Sequence, residues 1–257
     1  MDHSIVIILP QIVYVLVQLI TGLYLFIRVY QNKIFPIVWL AFFFILFPLQ
    51  LLFQLFLPFF LYAILSNNGP LFLLIFVKKT FFTKKKSSFR YLFALAIGLR
   101  FLELILKLSF QFTIPLSQAI PEDQILYAFL HVLSIALSQI ISAGWLSWVV
   151  FKDYYSLKDK DIEPWIKFRY FLVGFSSLFF GINGITVIFY AFYGDLSAPM
   201  EISGFLLLVS SLTFALGNLI AWVMPQNLKN YINRNYAIDR EDLSEEQLNE
   251  ILQKEFE

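Results

Sequence analysis

From residue 125 to residue 150 the chain runs 26 residues without an Asp, Glu, Lys or Arg, and residues 4–27 form a second such run of 24. At 1.5 Å of rise per residue, either run makes a helix longer than the roughly 30 Å of bilayer hydrocarbon. A segment that deep in hydrocarbon must satisfy its backbone N–H and C=O groups internally, which selects the α-helix. Comparable runs recur along the chain, and the charges gather between them. The sequence therefore predicts an all-α, polytopic integral membrane protein. Composition agrees: 59% of residues are hydrophobic and 14% are charged, against about a quarter charged in a soluble domain.

The run lengths and turn signals predict seven spans. They cover about residues 4–30, 35 into the 50s, 59–82, 90–115, 125–151, 170–193 and 202–224. The first lacks a basic start and a small-residue cleavage site, so it reads as a retained span rather than a signal peptide. The second and third are the hardest to divide, because Pro36, Pro48, Pro58 and the break Ser66-Asn67-Asn68-Gly69-Pro70 fall within them. Either the third span is interrupted at that break, or one long tilted helix covers 35–65 and a short helix starts at Pro70.

Loop charges orient the bundle. Arg28 and Lys33 follow the first span; Lys78, Lys79, Lys84, Lys85, Lys86 and Arg90 precede the fourth; Lys152 to Arg169 is again rich in bases. The alternate loops carry Glu122 and Asp123, or Asp195 and Glu201, and no base. By the positive-inside bias the N-terminus lies outside and the C-terminus in the cytoplasm, with the cell membrane the expected location. Lys84, Lys85 and Lys86 are expected to mark this topology and to contact lipid phosphates. Trp39, Trp145, Trp148, Trp165 and Trp222 lie toward predicted span ends, as interfacial anchors do.

The organisation is thus a transmembrane domain over 1–225 and a cytoplasmic tail over 226–257. In the tail, Leu228, Tyr231 and Ile232 share one face of a short interfacial helix. A capping-box pattern, Ser244 followed by Gln247, then opens an acidic amphipathic helix with Leu248, Ile251, Leu252 and Phe256 on one side. That helix is a candidate dock for a protein partner.

The fourth span is the anomaly. Arg100, Glu103, Lys107 and Gln111 fall at i, i+3, i+7 and i+11, within one narrow stripe of a helix. A charge near the bilayer centre costs at least a few kcal/mol without a partner, so the stripe should face protein or water. Glu103 can pair with Lys107 at i+4 and with Arg100 at i−3, and Lys107, nearer the outer end, has the length to snorkel. On the fifth span His131, Ser134, Ser138, Ser142 and Trp145 recur at spacings of three and four and offer a facing surface, with a Glu103–His131 contact within reach. Gln11 and Asn183 also fall in the outer half. A polar pocket built from Gln11, Arg100, Glu103, Lys107, Gln111, His131 and Asn183 is the candidate site, with an internal staple between helices as its structural alternative. Ser177, Gly181, Gly184, Thr213 and Gly217 read as small residues for close helix packing, and Asn218 as an interhelical hydrogen bond.

The exclusions are sharper. With no cysteine there is no disulfide, thiolate nucleophile or thiolate-bound metal, and two histidines, His3 and His131, leave little for a metal site. No nucleophile motif or phosphate-cradling glycine loop is present, so no catalytic residue, cofactor or nucleic-acid partner is assigned. Partners are membrane lipids and, as candidates, a small ligand and a protein at the tail. The expected function is a non-enzymatic, receptor-like sensor or interaction protein. Its alternative is a small-solute, ion or proton transporter or channel using the Arg100, Glu103 and Lys107 stripe, and an intramembrane enzyme or assembly subunit ranks lower.

Overall fold

The computed structural model describes residues 3–82, 88–112, 120–192, 197–234 and 236. Over these residues the chain is helical, without a strand. The elements are α1 (His3–Asn32), α2 (Ile37–Phe56), α3 (Phe59–Leu65), α4 (Gly69–Phe81), α5 (Phe89–Phe110), α6 (Ile125–Leu157), α7 (Pro164–Phe192), α8 (Ser197–Val223) and α9 (Gln226–Asn233). A 3-10 turn, Glu122–Gln124, leads into α6. Four stretches, Phe59–Phe81, Glu122–Leu157, Pro164–Phe189 and Ile202–Val223, are long and apolar enough to cross a membrane, as expected of an integral membrane protein. The first of these is α3 and α4 together, so the third predicted span is the interrupted one and the long tilted helix over 35–65 does not form: α2 stops at Phe56, and an extended Leu57 and Pro58 lead into α3.

Proline sets several of the starts. Pro36 precedes α2, Pro58 precedes α3, Pro70 lies in the first turn of α4, Pro164 opens α7 and Pro225 precedes α9. In the first turn the missing N–H costs nothing, because that donor has no intrahelical partner. Stops use the left-handed region: Lys33 follows α1, Gln111 follows α5 and Asn67 lies between α3 and α4, each with φ near +55°.

Helix neighbours close a ring. α1 packs on α2 and α8, α8 on α7, α7 on α6, α6 on α4, and α4 on α2; α5 lies against α4 and α6, and α3 against α2 and α5. Phenylalanines bridge across this ring. Phe43 of α2 meets Phe180 of α7 at 5.2 Å and Phe214 of α8 at 5.5 Å, both edge to face, while Phe180 and Phe214 stack at 4.8 Å. Phe44 stacks on Phe214 and Phe47 meets Phe180 edge on, so aromatic rings occupy the space between α2, α7 and α8.

Close approach depends on two glycines the sequence singled out. A Cβ on Gly184 would lie 2.7 Å from the Ala136 carbonyl oxygen and 2.8 Å from Ile140 Cγ1, and one on Gly217 would lie 2.5 Å from Ser176 Cβ. Gly181 has ordinary room, 3.9 Å from Ala143 Cβ. Of the tryptophans, Trp145 is buried and stacks on Phe82 and Phe89, and Trp165 is buried too, so both pack within the protein where interfacial anchors were expected; Trp148 is exposed.

α9 docks by its apolar face on the start of α7. Leu228 and Ile232 pack against Trp165, Ile166 and Met224. The Trp165 backbone N–H donates to Asn233 Oδ1 at 3.1 Å, and Asn233 Nδ2 donates to Glu163 at 3.2 Å. Glu163 also accepts from the Trp165 indole, and the Lys229 ammonium lies 4.3 Å from the Trp165 ring centroid. Asn233→Ala removes both hydrogen bonds, a loss of about 1–2 kcal/mol. We expect amide exchange in α9 to accelerate roughly tenfold or more while the melting temperature of the bundle barely moves; unchanged α9 protection would mean that the apolar face alone holds the dock. The acidic helix expected after Ser244 lies outside the described residues.

Candidate functional site

The charged stripe of α5 meets the break between α3 and α4. There the chain leaves helical geometry at Ser66, turns through Asn67 in the left-handed region and restarts at Gly69 with Pro70 behind it. A break in a buried helix orphans the carbonyls of the last turn before it. Here those carbonyls are accounted for one by one. Arg100 Nη2 donates to Ala63 O at 2.6 Å and to Ile64 O at 3.0 Å. Asn68 Nδ2 donates to Ile64 O and Leu65 O at 2.9 and 3.0 Å, and Ser66 Oγ to Ala63 O at 3.3 Å. Arg100 Nε also donates to Asn68 Oδ1 at 3.1 Å, so one guanidinium ties down the cap residue and the carbonyls. A cation at a helix C-terminus is favoured by the helix dipole as well.

Glu103 and Lys107 complete the cluster. Glu103 forms an ion pair with Arg100, accepts from Asn67 Nδ2 at 3.0 Å and lies 3.8 Å from the Lys107 ammonium. Lys107 Nζ donates to Ser66 Oγ at 2.8 Å and lies 3.9 Å from the Tyr62 ring centroid. Asn67 is held from the other side, its N–H donating to Gln50 Oε1 of α2 at 3.4 Å. Glu103 and Lys107 are 1% and 2% exposed, so the expected snorkelling of Lys107 does not occur. The reason is directional: helical side chains lean toward the helix N-terminus, which carries Lys107 back toward Ser66 and Glu103 and away from the nearer end of α5.

The stripe therefore faces α3 and α4, where the sequence pointed it at the fifth span. α5 does pack on α6, and its register is visible in the Phe110 ring stacked on Tyr127 at 4.8 Å and in Phe112 lying 5.7 Å from His131. In an antiparallel pair this brings Lys107 level with His131. His131 is buried, and its Nδ1 has no hydrogen-bond partner among the described residues; Glu103 instead uses Asn67, Arg100 and Lys107. Ser134, Ser138 and Ser142 do not link helices, because each hydroxyl donates to the carbonyl three residues earlier in α6.

The remaining expected residues lie elsewhere. Gln111 is exposed at the end of α5, outside the cluster. Asn183 donates to Ser211 Oγ at 2.5 Å and so joins α7 to α8. Asn218 donates to Ser176 Oγ at 3.3 Å and to Phe214 O, an α7–α8 link lower in the same interface. Ser177 and Thr213 bond back to Val173 O and Val209 O within their own helices. The side chain of Gln11 and residues Lys84, Lys85 and Lys86 lie outside the described residues. Tyr62, Ser66, Asn67, Asn68 and Gln50 were not assigned to the site from sequence; the signal for four of them was the break and its preceding turn, which the helical period could not attach to α5. Among the described residues there is no group of three or more His, Asp or Glu placed to hold a metal ion.

Compared with family models, curated proteins and solved structures, the chain matches none.

Proposed function

We propose that this chain is a seven-crossing membrane protein, N-terminus outside and C-terminus in the cytoplasm, that works as a non-enzymatic sensor whose input is the Arg100–Glu103–Lys107 cluster. The crossings are α1, α2, α3 with α4, α5, α6, α7 and α8, and the Lys/Arg bias of the loops supplies the orientation. The observation that carries the reading is the joint itself. Two half-helices meet at a left-handed Asn67, and one guanidinium caps the first while its ion-pair partner Glu103 holds Asn67 at the start of the second. Such a joint has discrete arrangements, and the charge held against it biases the choice between them. The phenylalanines between α2, α7 and α8 favour motion passed through packed helices over a conduit along the ring axis.

The absence of cysteine makes the test direct. Spin labels at Lys79→Cys and Gln226→Cys, both exposed positions on α4 and α9, report distances on the cytoplasmic side. Changing the cluster's charge with Lys107→Met should shift the label distance by several Å, with no proton or alkali-cation flux into proteoliposomes. An identical distance distribution in both proteins sinks the sensor reading. A transporter is the second reading, because broken helices facing buried charges are where transporters bind their cargo. Flux that vanishes in a folded Glu103→Gln protein would establish that reading in its place.

A further inference from the structure

The cluster holds two cations and one carboxylate. Among the described residues Glu103 is the carboxylate that pairs with Arg100 and with Lys107, and Arg100 is further engaged by the α3 carbonyls and Asn68. Lys107 is the group left over. Of its three N–H donors one reaches Ser66 Oγ, while Glu103 Oε1 at 3.8 Å is beyond hydrogen-bond range. At the same level of the neighbouring helix His131 presents an Nδ1 without a partner, with Phe112 lying beside its ring. A buried cation with one hydrogen bond and a buried imidazole nitrogen without a partner among the described residues face a common need: a single negative charge carried on oxygen.

We infer that Lys107 and His131 form a binding site for a monoanionic carboxylate, Lys107 supplying the countercharge and His131 an Nδ1–H donor. The inference rests on the sensor reading in taking this ligand to be the natural input of the joint. One carboxylate oxygen would take the open donors of Lys107 and leave Arg100 and Glu103 in their present pairing. Charge balance also selects a monoanion, since a dianion would leave the cluster negative. The carboxylate can arrive on a small solute or on an amphiphile from the bilayer, and the chemistry at Lys107 is the same for both.

The experiment uses the full chain in nanodiscs of zwitterionic lipid, with radiolabelled propionate as the solute probe, radiolabelled decanoate as the amphiphile probe, and empty nanodiscs as the blank. We expect saturable binding of one carboxylate per chain, by propionate if the source is a solute and by decanoate alone if it is the bilayer. Lys107→Met should weaken that binding at least tenfold and should fold at least as well as the parent without ligand, because it leaves Arg100 and Glu103 balanced. His131→Ala should weaken it about tenfold, the effect of one hydrogen bond to a charged group. Absence of saturable binding by either probe overturns the inference. So does binding at parental strength in Lys107→Met or in His131→Ala, and so does a Lys107→Met chain that cannot fold, since that would deny the charge surplus. Carboxylate binding without a change in the 79–226 label distance keeps this site and removes the sensor role; a distance change without carboxylate binding does the reverse.

Discussion

Glu103→Leu is expected to destabilise the protein by about 3–5 kcal/mol, the usual consequence of removing one partner from a buried ionic group. Against a total stability of roughly 5–15 kcal/mol this is a large fraction, and thermal unfolding in detergent should show it as a much lower midpoint or as failure to isolate a monodisperse protein. The cause is not the loss of a favourable ion pair, because desolvation offsets most of the Coulomb gain of a buried pair. It is that Arg100 and Lys107 would remain buried together without an anion, and that Asn67 would lose the acceptor for its amide. Arg100→Leu is expected to be similarly costly for a different reason: the carbonyls of Ala63 and Ile64 lose their strongest donor at the end of a half-helix. The two changes should be less than additive, since removing Glu103 already takes away the ion-pair partner of Arg100. Additive losses would show that the two side chains act separately and that the joint is not one unit.

Gly184→Ala should cost about 1–3 kcal/mol through overpacking where α6 meets α7. The added Cβ would meet the Ala136 carbonyl oxygen and Ile140 Cγ1 well inside contact distance, and the first of these is backbone, which cannot rotate away. Gly98→Ala is the matched control. Gly98 lies on α5 with nothing within 4 Å of its would-be Cβ, so the same methyl meets no protein there and removes the conformational freedom of a helical glycine. That substitution should be neutral or stabilising by up to about 1 kcal/mol. Equal losses at both glycines would mean that helix separation between α6 and α7 is not set at Gly184.

Three residues of the candidate site could be read from the sequence alone. The spacing of Arg100, Glu103 and Lys107 placed them on one face, and burial confirms that this face is turned away from the surroundings of the bundle. The break at Ser66 to Pro70 was visible as a cluster of turn residues inside an apolar run. What could not be read was that the two belong together. Helical periodicity gives the angle of a side chain about its own axis, but it carries no information on which neighbour stands at that angle. Hydroxyls pose the same difficulty: the stripe Ser134, Ser138 and Ser142 has the spacing of an interface and spends its donors on its own helix. Asn183 shows it a third way, close in expected depth to Glu103 yet committed to Ser211 across another interface.

The sequence by itself determined that the chain is helical, that it holds helices long and apolar enough for a membrane, and that one helix carries charges needing partners. These follow from the free energy of putting backbone and side-chain polarity into hydrocarbon, which each segment settles on its own. Only the tertiary structure decided that Arg100 caps the broken helix, that Glu103 bridges Arg100 and Asn67, and that Lys107 is left with donors to spare. Those outcomes depend on which helices stand side by side, a choice made by ring-to-ring packing and by glycine contacts between segments far apart in the chain.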